Sequence, residues 1–487
     1  MFKHKVGFGL ITLGFVSTVL FGCGGEKIEL EPLADEPNLK QLADTLDVKY
    51  RIVTNRTDEH CDKDQTDGLC FQAELELTSK IDFADNDWAI YFSNMAPVQN
   101  DGSEFFDILH INGDLHKIVP TSAFTAFKQK QNYKIPFRSG FWHLSQTDRM
   151  PNYYLTRNSK ASSESFVVKS TVPVLDPETG LEHLPHAVPL TLEDHHFKRR
   201  PEDRTQPATA PWLYQENAPF HQTVNVKNEV LPTPKSVTLD ASGRTLDLTS
   251  GVFLQSSDFE LKEYVAAFDR LSLLGVERSP KGVPVSLTKN NKFGAESYRL
   301  VIEETGIEVS AGEPAGAFYG LQSLAGLLQP GADKPQVPLA ELNDEPRFEF
   351  RGMHVEVSRN FKSKQFILDV LEQMSWYKLN KLHFHVADDE GWRIEIPSLP
   401  ELTEVGAFRC HDLTEQTCLL PQLGSGADKN SEVNGYYSFA DYLEILRYAK
   451  ERHIQVIPSM DMPGHSRAAI KAMAARYNKL VALGKKS

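Results

Sequence analysis

KLNKLHFHVADDEGWRIEI, residues 378–396, is the stretch on which the reading of the fold turns. Leu382, Phe384 and Val386 alternate with His383 and His385, the period of a strand, and the alternation runs into three consecutive carboxylates, Asp388, Asp389 and Glu390. Upstream, residues 348–357 form another strand candidate. Ser363 then stands where it can cap a helix carrying Phe366, Ile367, Val370, Leu371, Met374 and Tyr377 at helical spacing. Downstream, residues 439–452 carry Tyr442, Leu443, Ile445, Leu446 and Tyr448 on one helical face, residues 454–458 read as a third strand, and a helix is expected over about 465–478. Strand and helix alternate three times, which predicts a parallel sheet, either doubly wound or a (β/α)8 barrel. In both, chemistry gathers at the C-terminal ends of the strands. Those ends hold Arg359, the Asp388-Asp389-Glu390 triplet, and the run Asp461-Met462-Pro463-Gly464-His465.

Paired carboxylates serve as general acid and base in glycoside cleavage, bind divalent cations, or hold sugar hydroxyls. Trp392 and Arg393, just past the triplet, favour a sugar, because an aromatic face and a planar donor suit a pyranose ring. The His383-x-His385 pair also admits a zinc-dependent amidohydrolase, since one strand can present two histidines to one ion. No later metal ligands are visible.

The rest of the 487 residues divides by composition. With 52 Lys and Arg against 66 Asp and Glu the net charge is −14, which repels nucleic acid. Residues 46–174 show short alternating runs, at 48–53, 71–77, 88–92 and 166–172, which predict an antiparallel sandwich. The aromatics Trp88, Tyr91, Phe92, Phe141, Trp142, Tyr153 and Tyr154 are core residues or a sugar platform. Residues 193–220, with four prolines and paired His195-His196 and Arg199-Arg200, read as a linker. Residues 224–346 combine a hairpin around Thr305-Gly306 with a helix over about 315–329, a small α+β domain.

At the N-terminus, Lys3 and Lys5 precede an apolar run over 6–22 that ends at Cys23, the form of an export signal. Leu20-Phe21-Gly22-Cys23-Gly24 resembles a bacterial lipoprotein signal, which implies lipidation of Cys23 and anchoring to a membrane. Gly24, rather than Asp, then points to the outer membrane, with the periplasm as the alternative address. The other cysteines form two local pairs, Cys61 with Cys70 and Cys410 with Cys418, expected as disulfides in an exported protein.

Three blocks, in this order, carry a resemblance to a known family: 351–361 (RGMHVEVSRNF), 378–396, and 458–466 (PSMDMPGHS). They resemble glycoside hydrolase family 20, and most nearly the bacterial chitobiases. The resemblance implies a multidomain chain: a signal peptide over 1–22, a carbohydrate-binding-like β-sandwich over 23–200, a linker over 201–223, an α+β domain over 224–345, and a partial catalytic (β/α)8 barrel over 346–487. It implies a β-N-acetylhexosaminidase that removes terminal N-acetylglucosamine from chitobiose and chitin oligosaccharides. Arg351 would hydrogen-bond the sugar's O3 and O4, Asp388 and Asp389 would build the pocket with Trp392 beside them, and Asp461 and His465 would support the catalytic acid. The alternative pairing for Arg351 is a neighbouring carboxylate, and for Asp461 a helix cap. The family's mechanism is substrate-assisted and retaining, so no cofactor and no metal is implied.

The chain departs from the family at one decisive place. The family's catalytic Asp-Glu follows a Gly-Gly pair, whereas Asp-Glu occurs here at 35–36, 58–59, 344–345 and 389–390, never after Gly-Gly. A complete barrel takes about 250 residues. The expectation is therefore about three of eight β/α units, an incomplete barrel, with the catalytic pair lying beyond Ser487 and the chain inactive alone. Glu356 and Ser459 are smaller departures from the family's usual residues. The rival from another class is a non-catalytic sugar-binding surface lipoprotein.

Overall fold

A computed structural model describes residues 38–66, 68–218, 230–328 and 334–485; the apolar N-terminal run and Cys23 lie outside the described residues. Alternating burial along Leu46–Thr54 and Cys70–Ser79 turns Val48, Tyr50, Ile52, Phe71, Ala73, Leu75 and Leu77 inward. These two strands pair antiparallel from Leu46 opposite Ser79, and Asn132–Gly140 and Val98–Asn100 complete a four-stranded sheet. A five-stranded antiparallel sheet faces it, in the order Phe106–Asn112, Leu115–Pro120, Ala89–Ser93, Tyr154–Thr156, Phe166–Val167. Trp88 stacks on Phe127 at 5.2 Å in the core between them. Cys61 is bonded to Cys70, closing the loop that precedes the second strand.

Two sequence expectations change here. The strand expected over 166–172 stops at Val167, because the Thr171 hydroxyl donates to the Val168 carbonyl and accepts from the Tyr153 N–H, curling the chain into a 3-10 turn. The linker expected over 193–220 contains short helices, Asp194–Phe197 and Ala210–Asn217. Thr209 caps the second, and Pro211 sits in its first turn, where its missing N–H costs nothing.

The middle domain is a six-stranded sheet whose hairpin pairs Tyr298–Glu303 with Gly306–Ala311. The helices Val265–Leu273 and Pro314–Gly326 pack in its core through Phe268, Leu271, Phe318, Leu321 and Leu324.

In the last domain Gly352–Glu356, Lys381–Asp388 and Gln455–Met460 lie parallel and side by side in chain order. Ser363 accepts the Phe366 N–H and starts the helix Lys364–Trp376, while Ser438 and Asp441 form a capping box on Phe439–Lys450. The final helix runs Arg467–Ala482, starting and ending later than the periodicity predicts. Between the second strand and its helix, residues 407–435 form a long loop closed by the Cys410–Cys418 bond. The loop lies on the sandwich: the Leu413 N–H donates to the Ala161 carbonyl at 3.0 Å, the Leu423 N–H to Asp114 at 2.6 Å and the Gly424 N–H to Ser93 at 3.0 Å. His411 sits edge-on to Tyr91, 4.9 Å away, and Tyr91 stacks on Tyr154.

Candidate functional site

The three strand ends bring Glu356, His385, Asp388 and Ser459 together, and the following loops add Arg359, Asp389, Glu390, Asp461 and His465. Arg359 joins the carboxylates: its guanidinium lies 2.7 Å from Asp388, 3.1 Å from Glu356 and 3.4 Å from Glu390. Asp388 is buried and fully engaged. Its Oδ2 faces Arg359 and the His385 Nε2 at 3.2 Å, and its Oδ1 accepts the Asp389 N–H at 2.6 Å and faces the His465 Nδ1 at 3.2 Å. With both oxygens occupied, Asp388 acts as an anchor for the groups around it rather than as a free base.

Asp389 is more open. One oxygen accepts the Arg467 N–H at 2.9 Å, where the N-terminus of the last helix favours negative charge, and the other lies 3.4 Å from His465. Glu390 is mostly enclosed, and its Oε2 has no hydrogen bond. Burial pushes its carboxyl above the ordinary range; Arg359 opposes that, and the charges of Asp388 and Asp389 add to it. Glu390 thus holds its proton to higher pH than an ordinary glutamate.

Ser459 links two rings, its Oγ lying 2.8 Å from the His383 Nε2 and 2.9 Å from the His385 Nδ1. Because Asp388 accepts from the His385 Nε2, the hydrogen-bond network assigns the Ser459 hydroxyl as donor to His385 and as acceptor from His383. The histidine pair of the amidohydrolase reading thus meets at the Ser459 hydroxyl, and the other ring nitrogen of His385 is taken by Asp388. Two groups do bring potential metal-ligand atoms within 4.8 Å of one another: His385, Asp388 and Asp461, and Asp388, Asp389 and His465. Arg359, already 2.7 Å from Asp388, opposes a cation there.

Three residues expected at the site lie elsewhere. Arg351 precedes the first strand, at the opposite end from the triplet. It pairs with Glu296 of the middle domain at 2.9 Å and donates to the carbonyls of Lys378 and Phe348. Burial opposes ionisation of Glu296, but the Arg351 bonds outweigh it and hold the carboxyl below its usual range. Arg351 therefore ties two domains together, the carboxylate pairing left open by the sequence.

Trp392 is half-buried and packs against the cluster of Leu402, Val405, Ala472 and Met473, with its indole N–H donating to the Ile394 carbonyl at 2.6 Å, so the ring is used at least in part for packing. Arg393 is fully buried and makes six hydrogen bonds to backbone carbonyls of Val357, Ser358, Ala407, Val433 and Gly435. It joins the end of the first strand to the long loop.

Arg359 and Ser459 are the residues to which the sequence assigned no role. The sequence places Arg359 at a strand's C-terminal end, and that position, rather than the first arginine in the block, is the signal that could have given it the role expected of Arg351. Glu415 is a further case. It is buried, sits inside the disulfide loop, and pairs with Arg467 and, at 2.9 Å, with Lys471, holding the start of the last helix.

Together these groups form a hydrogen-bonding face of mixed charge. His465 and Asp461 are open to solvent and Asp389 partly so, which suits a polyhydroxylated neutral ligand better than a polyanion.

Residues 348–486 match the catalytic domain of glycosyl hydrolase family 20, and 227–345 match that family's domain 2. Residues 45–211 match a domain described as carbohydrate binding. The chain is 42% identical over 457 residues to beta-hexosaminidase B of Pseudoalteromonas piscicida, covering 93% of this chain and 57% of that protein. To N,N'-diacetylchitobiase of Vibrio harveyi it is 38% identical over 500 residues, covering 100% of this chain and 53% of that protein. The crystal structure of a GH20 exo-β-N-acetylglucosaminidase from Vibrio harveyi in complex with N-acetylglucosamine superposes with a TM-score of 0.65. Identity there is 21%, over 88% of this chain and 59% of that one, a likeness of fold. The chain thus spans somewhat more than half the length of these relatives. Matched by both of the family's own domains in the family's order, and by hexosaminidases along nearly all of its length, the chain belongs to glycosyl hydrolase family 20.

Proposed function

We propose that this chain supplies the sugar-binding face of a β-N-acetylhexosaminidase of the chitobiase type, which releases terminal N-acetylglucosamine from chitin oligosaccharides. The observation that carries the reading is the Arg359–Asp388–His465 cluster at the strand ends, inside the region that matches the family's catalytic domain. Arg359 takes the sugar-binding part first expected of Arg351. Asp388 fixes Arg359, His385 and His465 in place, Asp389 offers its partly exposed carboxylate to hydroxyls, and Asp461 and His465 support the acid. Cleavage in this reading is substrate-assisted: the acetamido oxygen attacks the anomeric carbon while a carboxylic acid protonates the departing oxygen. No Asp-Glu follows Gly-Gly in the 487 residues, so the residues here bind and orient, and the catalytic pair of the family has no counterpart among them.

The test joins calorimetry with N-acetylglucosamine to hydrolysis of a chromogenic N-acetyl-β-glucosaminide. Binding that is lost in Arg359→Ala, without turnover, is the expected result. Turnover abolished by Asp389→Asn with Glu390→Gln would move the chemistry onto that pair. Failure to bind N-acetylglucosamine at all would overturn the reading. Export and lipidation at Cys23 belong to the same proposal, supported by the basic and apolar run before that cysteine. Palmitate labelling that persists in Cys23→Ala would reject them.

A further inference from the structure

The sandwich carries an aromatic pair that its core does not use. Trp88, Tyr91, Phe92, Tyr153 and Tyr154 are buried, whereas Phe141 is 67% exposed and Trp142 is 42% exposed. Phe141 has a φ of 61°, in the left-handed region that a bulky residue rarely occupies, although Gly140 stands immediately before it. Nothing in the packing demands an exposed phenyl ring at such a position, where glycine would be free of strain.

The backbone beneath the pair is pinned. Asn55, itself buried, accepts the His143 N–H at 3.0 Å and donates to the His143 carbonyl at 2.8 Å and to the His196 carbonyl. The His143 ring packs 4.4 Å from Phe71. Asp148 accepts the N–H groups of Leu144 and Ser145. Through His196 the same asparagine fixes the segment that delivers Arg199, whose guanidinium lies 3.6 Å over the Trp142 ring. Among the described residues that guanidinium makes no hydrogen bond or ion pair, so its N–H groups are unspent. Two rings and a planar fork of donors are thereby held in fixed relation on a domain that matches a carbohydrate binding family.

We propose that Phe141, Trp142 and Arg199 form a carbohydrate-binding platform for chains of N-acetylglucosamine, separate from the face at the strand ends. The apolar side of a pyranose ring packs on the aromatic faces, and Arg199 donates to ring substituents at the edge. A rigid backbone favours this, because little motion has to be frozen when the ligand arrives. The identity of the sugar rests on the hexosaminidase reading above; the platform itself rests on the geometry of the sandwich.

The test is calorimetry of the full chain with chitotetraose and cellotetraose, using Phe141→Gly, Trp142→Ala, Arg199→Ala and Arg359→Ala. Phe141→Gly and Trp142→Ala are expected to weaken one chitotetraose site tenfold or more, and Arg199→Ala three- to tenfold. Arg359→Ala should leave that site intact. Phe141→Gly should keep or raise the melting temperature, since glycine relieves the left-handed backbone; a fall of several degrees would make Phe141 a packing residue and overturn the platform. Binding lost in Arg359→Ala but untouched by Phe141→Gly and Trp142→Ala would also overturn it, leaving the hexosaminidase reading in place. Binding of cellotetraose alone, abolished by Trp142→Ala, would keep the platform and reject that reading. A wild-type dimer dissolved by Phe141→Gly would reassign the patch to contact between two copies.

Discussion

Replacing Arg393 with Met tests how the sugar-binding face is held. The guanidinium serves five carbonyls. Those of Ala407 and Val433 also accept backbone N–H groups, from Gly435 at 3.1 Å and Phe361 at 3.3 Å, but among the described residues those of Val357, Ser358 and Gly435 have Arg393 alone. The buried carbonyls of Val357 and Ser358 and the half-buried one of Gly435, left unpaired at about 1–3 kcal/mol each, give a penalty of at most about 3–9 kcal/mol. Relief from burying a charge, about several kcal/mol, offsets part of it, so the net loss expected for Arg393→Met is about 1–5 kcal/mol. That burial is severe enough to push the Arg393 pKa down to about 9, yet the group stays charged at neutral pH. Arg393→Lys, with three donors from a point charge instead of five from a fork, should fall between the two.

The assay is urea unfolding followed by tryptophan fluorescence, with hydrogen exchange read at residues 357–361 and 433–437. Because Val357 and Ser358 lead directly into Arg359, N-acetylglucosamine binding should weaken in parallel. A change below about 1 kcal/mol with exchange at 433–437 unaltered would refute the reasoning, since carbonyls that matter cannot lose their donor silently.

Glu415→Gln should cost about 1.5–3 kcal/mol, the range for hydrogen bonds to charged groups, and loosen the first turn of the last helix, readable by exchange near Arg467. His116, His143, His186 and His411 are buried, and burial pushes each pKa down to about 4. The unfolded chain takes up their protons near pH 6.5 while the folded chain does not, so stability is full above that pH and falls as pH drops towards 4. Each contributes about 3 kcal/mol across the window, and urea midpoints at pH 7, 6 and 5 should show it, with His143→Phe removing its share of the slope. The raised Glu390 carboxyl acts in the opposite sense: the folded state keeps a proton that the unfolded chain releases, so stability falls as pH rises from the ordinary glutamate range towards the raised folded one. Arg359→Met should raise the Glu390 pKa further, measurable by carboxyl carbon NMR.

The elements were largely legible because their signals are local. Alternation at Phe71, Ala73, Leu75 and Leu77 reappears as a strand with that burial, and Ser363 caps the helix it precedes. The cysteine pairs, nine and eight residues apart, are bonded as their spacing suggested. The two short helices within 193–220 were missed because Pro and charge there mask a capping signal. At the site, Asp388, Asp389 and His465 do meet, since strand ends in a parallel sheet must gather on one side.

By itself the sequence determined the strands and helices, the side of the sheet on which carboxylates collect, and the three blocks that mark the family. These depend on residues within a few positions of one another, where backbone period and side-chain type settle the outcome. Only the tertiary structure decided that Arg359 rather than Arg351 faces Asp388, that Trp392 and Arg393 are spent on packing and on carbonyls, and that Phe141 and Trp142 stand outside the core. The physical reason is that a polar or aromatic side chain takes its role from whichever partner satisfies it. Those partners, Glu296 for Arg351, Val433 for Arg393 and Arg199 for Trp142, lie about 40 to 57 residues away along the chain and become neighbours only when the domains close.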